Sequence, residues 1–225
     1  MKLGIPVYEG VDLLDVAGPY EMFGWVPPKK LETVILSEDG GPVTSGNGVR
    51  FEAHSSFAAT PTLDVLWVPG GASEVMEKMM LEPASAYFSY LKKVGAAASW
   101  VCSVCEGALL LARAGLLDGH KATTHWAVVN CLKKFPDIKV DSKHPRFVVS
   151  GNRLTGGGIS SGLDEALKLI TILFGKQTAI EVQQTTQYFP RPPVRGSIPK
   201  TPRCMIHWQA NQDNLTKVSR TSTTK

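Results

Sequence analysis

The 225-residue sequence has no uninterrupted apolar run long enough to cross a bilayer. Its most apolar long stretch, residues 163–174, carries Asp164, Glu165 and Lys168, and charges at that depth argue against a spanning helix. The N-terminus MKLGIPVYEG has one lysine, a short apolar run and no small-residue cleavage site. It reads as a first buried strand and not as a secretion signal. No basic block interleaved with aromatics occurs, and the net charge is only +4, so neither nucleic acid nor a membrane is an expected partner. The four cysteines, Cys102, Cys105, Cys131 and Cys204, are too sparse for a disulfide scaffold of this size. A reduced, cytoplasmic protein is the expectation. Internal repeats are absent too, which removes solenoids and propellers.

What is present is an alternation of short apolar runs with amphipathic stretches. Residues 2–8, 31–37, 63–71 and 97–103 read as buried strands. Residues 15–25, 83–94, 106–116 and 127–134 read as helices, and residues 121–126 as a short strand or loop. Asn47-Gly48 between alternating flanks marks a hairpin, and a second is expected around Ser150-Gly151. The Gly-rich turn at 156–158 feeds a long amphipathic helix, continued by residues 177–187. Strands alternating with helices predict a doubly wound, mostly parallel α/β sheet covered on both faces, with a small β-hairpin. The domain is expected over 1–189. Residues 190–225, beginning PRPPVRGSIPKTP, read as an extended arm and a polar, frayed tail.

In such a sheet the site lies beyond the carboxyl ends of the strands. That rule collects Gly70 and Gly71, the run Cys105-Glu106-Gly107, His125, and Gly156–Gly158. Asp15 opens a helix after the first strand. The spacing Cys102-x-x-Cys105 invites a redox pair, but Cys102 is still inside its strand between valines. Sulfurs on either side of a strand-to-helix bend are poorly placed to close a disulfide, and no further ligands at zinc spacing follow. Cys102 therefore reads as a small buried apolar residue. Cys105 sits in the bend S-V-C-E-G, like the serine turn of hydrolases, with Gly107 letting the helix start pass close to its neighbour. The plainer readings stand beside these. Asp15 could be only a helix cap, His125 a core or interface residue, and Gly156–Gly158 a tight turn. Asp164 and Glu165 read as helix-start charges, and His54, His120, His144 and His207 as surface residues.

The segments DVAGPYEMF, LWVPGG, SVCEGALLLARAGLLDGHKATTHW, RLTGGGISSGLDEAL and YFPRPP, in this order, resemble the ThiJ/PfpI superfamily, whose fold is that of class I glutamine amidotransferases. Within it, LDVAGP and ATTHW are most similar to isocyanide hydratases and to the sensor domains of AraC-type regulators. A regulator would need helix-turn-helix units for which the sequence leaves no room, so the hydratase branch is the expectation.

That resemblance implies Cys105 as nucleophile and Asp15 as the acid beside it. It implies the Gly71 and Glu106 amides, with Gly70, as substrate-binding groups, and His125 near the thiol. It implies a small-molecule substrate, a homodimer, and neither metal nor organic cofactor. Other cysteine enzymes of the superfamily (glyoxalase-, amidase- or peptidase-like) and an oxidation-sensing stress protein remain alternatives. One position departs from the hydratase pattern: Glu106 stands where a threonine is usual. A carboxylate there would raise the thiol pKa and partly fill the pocket, or act as an extra acid.

Overall fold

The computed structural model describes residues 1–206. In chain order the elements are β1 (Lys2–Pro6), α1 (Leu13–Gly24), β2 (Glu32–Ser37), β3 (Val43–Thr44), β4 (Arg50–Phe51), β5 (Ser55–Ser56), β6 (Val65–Val68), α2 (Ser73–Leu81), α3 (Ala86–Ala97), β7 (Trp100–Ser103), α4 (Gly107–Arg113) and β8 (Lys121–Ala122). A 3₁₀ turn (Trp126–Val128) then runs into α5 (Val129–Leu132), followed by β9 (Lys139–Val140), β10 (Phe147–Ser150), β11 (Arg153–Gly156), α6 (Ser161–Phe174) and α7 (Lys176–Thr185).

One sheet has the order β10-β11-β7-β6-β1-β2-β5. Every neighbouring pair in it is parallel except β10–β11, the expected hairpin. Side chains alternate across it with period two. Val65, Trp67 and Cys102 face one apolar cluster with Phe23, Leu169 and Val182. Leu66, Val68 and Val101 face the other, with Met76, Phe88 and Leu109. Burial on both faces is why these strands read as continuous apolar runs. The chain leaves β1 toward β2 on one side and returns to β6 on the other, so the topological switch, and the crevice it opens, lies at the carboxyl ends of β1 and β6. The Asn47-Gly48 hairpin forms as β3–β4, with Gly48 at φ +89° as a tight turn requires. Gly46 N–H and Gly10 N–H tie it to the loop after β1.

Two expectations need correction. Helix α2 adds to the expected elements, with Met76 and Met80, about one turn apart, as its buried face. More consequentially, Cys131 and Cys204 form a disulfide across 73 residues, so the reading of a reduced chain fails for this pair. No spacing rule connects them; they meet because the arm folds back on α5. Residues 189–200 are exposed. Beyond them, Asn130 Nδ2 donates to the Pro202 carbonyl (2.8 Å), Lys134 Nζ to that of Ile206 (3.1 Å), and Ile206 is buried in the core. Among the described residues no helix is long and apolar enough to cross a membrane. The polar tail and His207 lie outside them.

Candidate active site

The bend after β7 is the centre of the site. Cys105 has φ +56°, a left-handed conformation that L-residues adopt only when the surroundings hold them there. Three contacts do so. Cys105 N–H donates to the Gly157 carbonyl (2.8 Å). Thr124 Oγ1 donates to the Cys105 carbonyl (2.8 Å). Gly107 passes so close to the Val68 carbonyl that any Cβ would collide with it. Cys105 is 1% exposed, and the Ile159 N–H faces its sulfur.

Asp15 comes from the opposite side. The N-cap of α1 is Asp12, and Asp15 lies in the first helical turn, so Asp15 is not a cap. Its side chain is completely buried. Oδ2 accepts from Gly70 N–H (2.9 Å), while Oδ1 is buried without a hydrogen-bond partner among the described residues. The Cys105 thiol beside it eases the carboxyl's pKa slightly without meeting hydrogen-bond geometry. Gly70 makes the approach possible. A Cβ there would stand 2.8 Å from Glu106 N, 3.0 Å from Asp15 Oδ2 and 3.1 Å from Cys105 Cβ. Thus Gly70 holds the acid, whereas the Gly71 N–H faces the Glu106 carboxyl.

Electrostatics follow from burial and from like charges. Burial pushes the Cys105 thiol well up, and the carboxyls of Asp15, Glu106 and Asp12 push it further. Burial likewise raises Asp15. Glu106 is pushed up to about 7 by burial and then by Asp12, against the Gly71 N–H. His125 is half-buried against Gly158, with Nδ1 unpartnered among the described residues. Burial holds it below its ordinary pKa, with Asp12 opposing. It meets Asp12 at the mouth of the site and is not among the main groups that shift the thiol.

Four contributors escaped the sequence reading. Asp12 is one turn before Asp15, the i,i+3 spacing that puts two carboxyls on one side of a helix; that signal was legible. Thr124 and the Ile159 amide act through the backbone of the elbow and sulfur, which no residue pattern reveals. Glu165, read as a helix-start charge, is fully buried. Ser161 Oγ donates to its Oε1 (2.7 Å), and its carboxyl fills the space a Cβ at Gly156 would need. Its partner in that reading, Asp164, does sit at the surface and binds Arg146 Nε (2.6 Å).

A carboxylate oxygen of Asp12, one of Asp15 and the Cys105 sulfur lie within 4.8 Å of one another, the one such donor group among the described residues that could hold a metal ion. A groove of about 480 Å³ opens at the same end of the sheet, lined by Glu9, Phe57, Met79 and Tyr87 among others. Neither Cys105 nor Glu106 lines it; Tyr8 is shared. The Tyr8 hydroxyl donates to the Pro69 carbonyl (3.1 Å), and its ring would be met by any Cβ at Gly71.

A mostly parallel sheet with a strained cysteine at a strand-to-helix elbow, backed by a buried carboxyl, defines a class of α/β proteins built around one thiol. Residues 1–172 match the DJ-1/PfpI family, and the chain belongs to it. An isonitrile hydratase of Pseudomonas putida is 37% identical over 201 residues, covering 89% of this chain and 84% of that protein. The HTH-type transcriptional regulator CdhR of Pseudomonas aeruginosa is 29% identical, over 67% of this chain but only 43% of the regulator. Among solved structures, a ThiJ/PfpI family protein from Pseudomonas syringae superposes with a TM-score of 0.79 at 32% identity, covering 89% of this chain and 81% of that one. Oxidized DJ-1 from Toxoplasma gondii has the same fold (TM-score 0.70, 24% identity, 84% and 99% covered).

Proposed function

We propose that the protein is a cysteine-dependent hydratase that adds water to an isocyanide to give an N-substituted formamide. The observation that carries this is the juxtaposition of the elbow thiol with the Asp15 carboxyl, whose second oxygen is held by Gly70 N–H. The similarity to an isonitrile hydratase over most of both chains supports it. The Cys105 sulfur attacks the isocyanide carbon as its proton passes to Asp15. Asp15 returns that proton to the same carbon, leaving a thioimidate. Water then adds to the carbon, the nitrogen takes a proton, and the C–S bond breaks. The formamide leaves and the thiol is restored. A thiol pushed up by burial and set beside Asp15 suits this order, because the nucleophile forms when Asp15 accepts the proton that the carbon later needs.

The burial of the Cys105 thiol weighs against a stress sensor, since oxidation follows exposure. Purified protein should convert a panel of alkyl and aryl isocyanides to formamides, followed by mass spectrometry, with conversion abolished in C105A. Absence of formamide from every member would refute the reading, and consumption of methylglyoxal in its place would select a glyoxalase.

A further inference from the structure

Glu165 is fully buried, yet the chemistry above gives it no part. It belongs to α6 and packs beneath the end of β11. A Cβ at Gly156, the last residue of β11, would coincide with its Oε1, so the carboxyl lies against bare backbone. Ser161 Oγ donates to Oε1 (2.7 Å), while Oε2 has no hydrogen-bond partner among the described residues. Packing alone gives no reason for an acid in this place. An apolar side chain would cover Gly156 without the cost of taking a carboxyl out of water. Burial pushes this carboxyl well up, against the Ser161 hydroxyl. The charged groups that act on it are Asp15 from α1, Asp164 beside it and Arg146 ahead of β10.

What the carboxyl touches is the turn that grips the nucleophile. Residues 156–158 are all glycine, and such a run has no side chains of its own to fix its backbone. Outside contacts fix it. Gly157 N–H donates to the Arg146 carbonyl (2.9 Å), and Ser161 N–H closes onto the Gly158 carbonyl (2.8 Å). The same turn supplies two contacts to the elbow. The Gly157 carbonyl accepts from Cys105 N–H (2.8 Å), and the Ile159 N–H faces the sulfur. Ser161 links the two ends of this chain of contacts: its backbone is tied to the turn, its hydroxyl to Glu165. We propose that Glu165 is a positioning residue: through the Ser161 hydroxyl and the bare face of Gly156, its carboxyl sets the 157–159 turn, which holds Cys105 in its left-handed conformation and aims the Ile159 N–H at the sulfur.

Two measurements test this; the first rests on the hydratase reading and the second does not. E165M keeps an unbranched side chain over Gly156 but offers Ser161 no oxygen. S161A removes the donor. E165Q keeps both the shape and an acceptor oxygen. In E165M and S161A, kcat for isocyanide hydration should fall at least about tenfold with KM within about twofold of wild type, since a displacement of about 1 Å can cost about a hundredfold in rate. E165Q should turn over like wild type, and the E165M/S161A double variant no more slowly than either single one, because both changes break one bond. The second measurement is amide hydrogen exchange by mass spectrometry, without substrate. Peptides covering Cys105 and residues 157–159 should exchange faster in E165M and S161A, while those of β1 and β6 keep their wild-type rates. A residue that only packs would loosen the sheet as a whole or leave exchange unchanged. Wild-type exchange at the elbow in both variants, faster exchange spread over β1 and β6, or local loosening with kcat unchanged would overturn the proposal, as would an E165Q protein as impaired as E165M. If the wild-type protein hydrates no isocyanide, the hydratase reading fails and the exchange pattern alone decides the positioning role.

Discussion

Replacing Glu106 with glutamine removes one buried ionisable charge while keeping an amide oxygen for the Gly71 N–H to face. In the folded protein the Glu106 carboxyl is raised from an ordinary 4.5 to about 7, so the folded state binds this proton more tightly than the unfolded chain does. Stability from this group is then complete below about pH 4.5 and is lost as pH rises to about 7. At ~1.36 kcal/mol per pH unit, the loss amounts to about 3 kcal/mol above pH 7. E106Q does not incur it. For a chain of this size each kcal/mol moves the melting temperature by roughly 2–4 °C. E106Q should therefore melt roughly 5 °C or more above wild type at pH 8, and within about 1–2 °C of it at pH 4.5, where both side chains are neutral. Differential scanning fluorimetry across pH 4.5–8.5 reads this directly. The difference between the two curves reports Glu106 together with its repulsion of Asp15, whereas Glu165, which Glu106 does not shift, slopes both curves alike. A constant offset at all pH values, or an E106Q protein that is less stable at pH 8, would refute the electrostatic reasoning and leave Glu106 as an ordinary packing residue.

Other expectations follow from the same geometry. Iodoacetamide should label Cys105 before Cys102, slowly at pH 7 and faster as pH rises, because burial and the carboxyls push the thiol up; equal labelling of Cys102 would revive the redox pair. D15N should melt no lower than wild type, since a buried carboxyl gives way to a neutral amide, yet turn over isocyanide at least about a hundredfold more slowly; near-normal turnover would remove Asp15 from proton transfer. Non-reducing peptide mapping should link the peptides of Cys131 and Cys204, and C204S should lose up to about 4 kcal/mol, the loop-closure value for that separation; four titratable thiols in the native protein would contradict the disulfide. Light scattering should give a dimer mass, with the exposed Phe189, Val194 and Ile198 of the arm available to cover; a monomer at all concentrations would rule that out.

The sheet, its crossover helices and the strand-end position of the site were legible in the sequence because they depend on local periodicity. Strands buried on both faces must be continuously apolar, and the turns between them demand glycine. Cys105 and Gly107 could be paired by inspection for the same reason, since an elbow that tight is written in adjacent residues. The capping alternative for Asp15 fell only when the structure placed the helix start three residues earlier, at Asp12, because a boundary shift of one turn does not alter an apolar pattern.

What tertiary structure alone decided is where distant groups meet. Asp15 reaches Gly70 across 55 residues, and Thr124 reaches the Cys105 carbonyl across 19. Cys131 reaches Cys204 across 73 residues, through an arm that carries no regular pattern. Glu165 shows the limit most plainly. Its sequence context is that of a surface charge near a helix start, yet α6 turns it inward over Gly156, whose missing Cβ leaves the room its carboxyl occupies. Burial, and with it the protonation state of every acid around the thiol, depends on what packs against a side chain from elsewhere in the chain, and sequence neighbours do not record that.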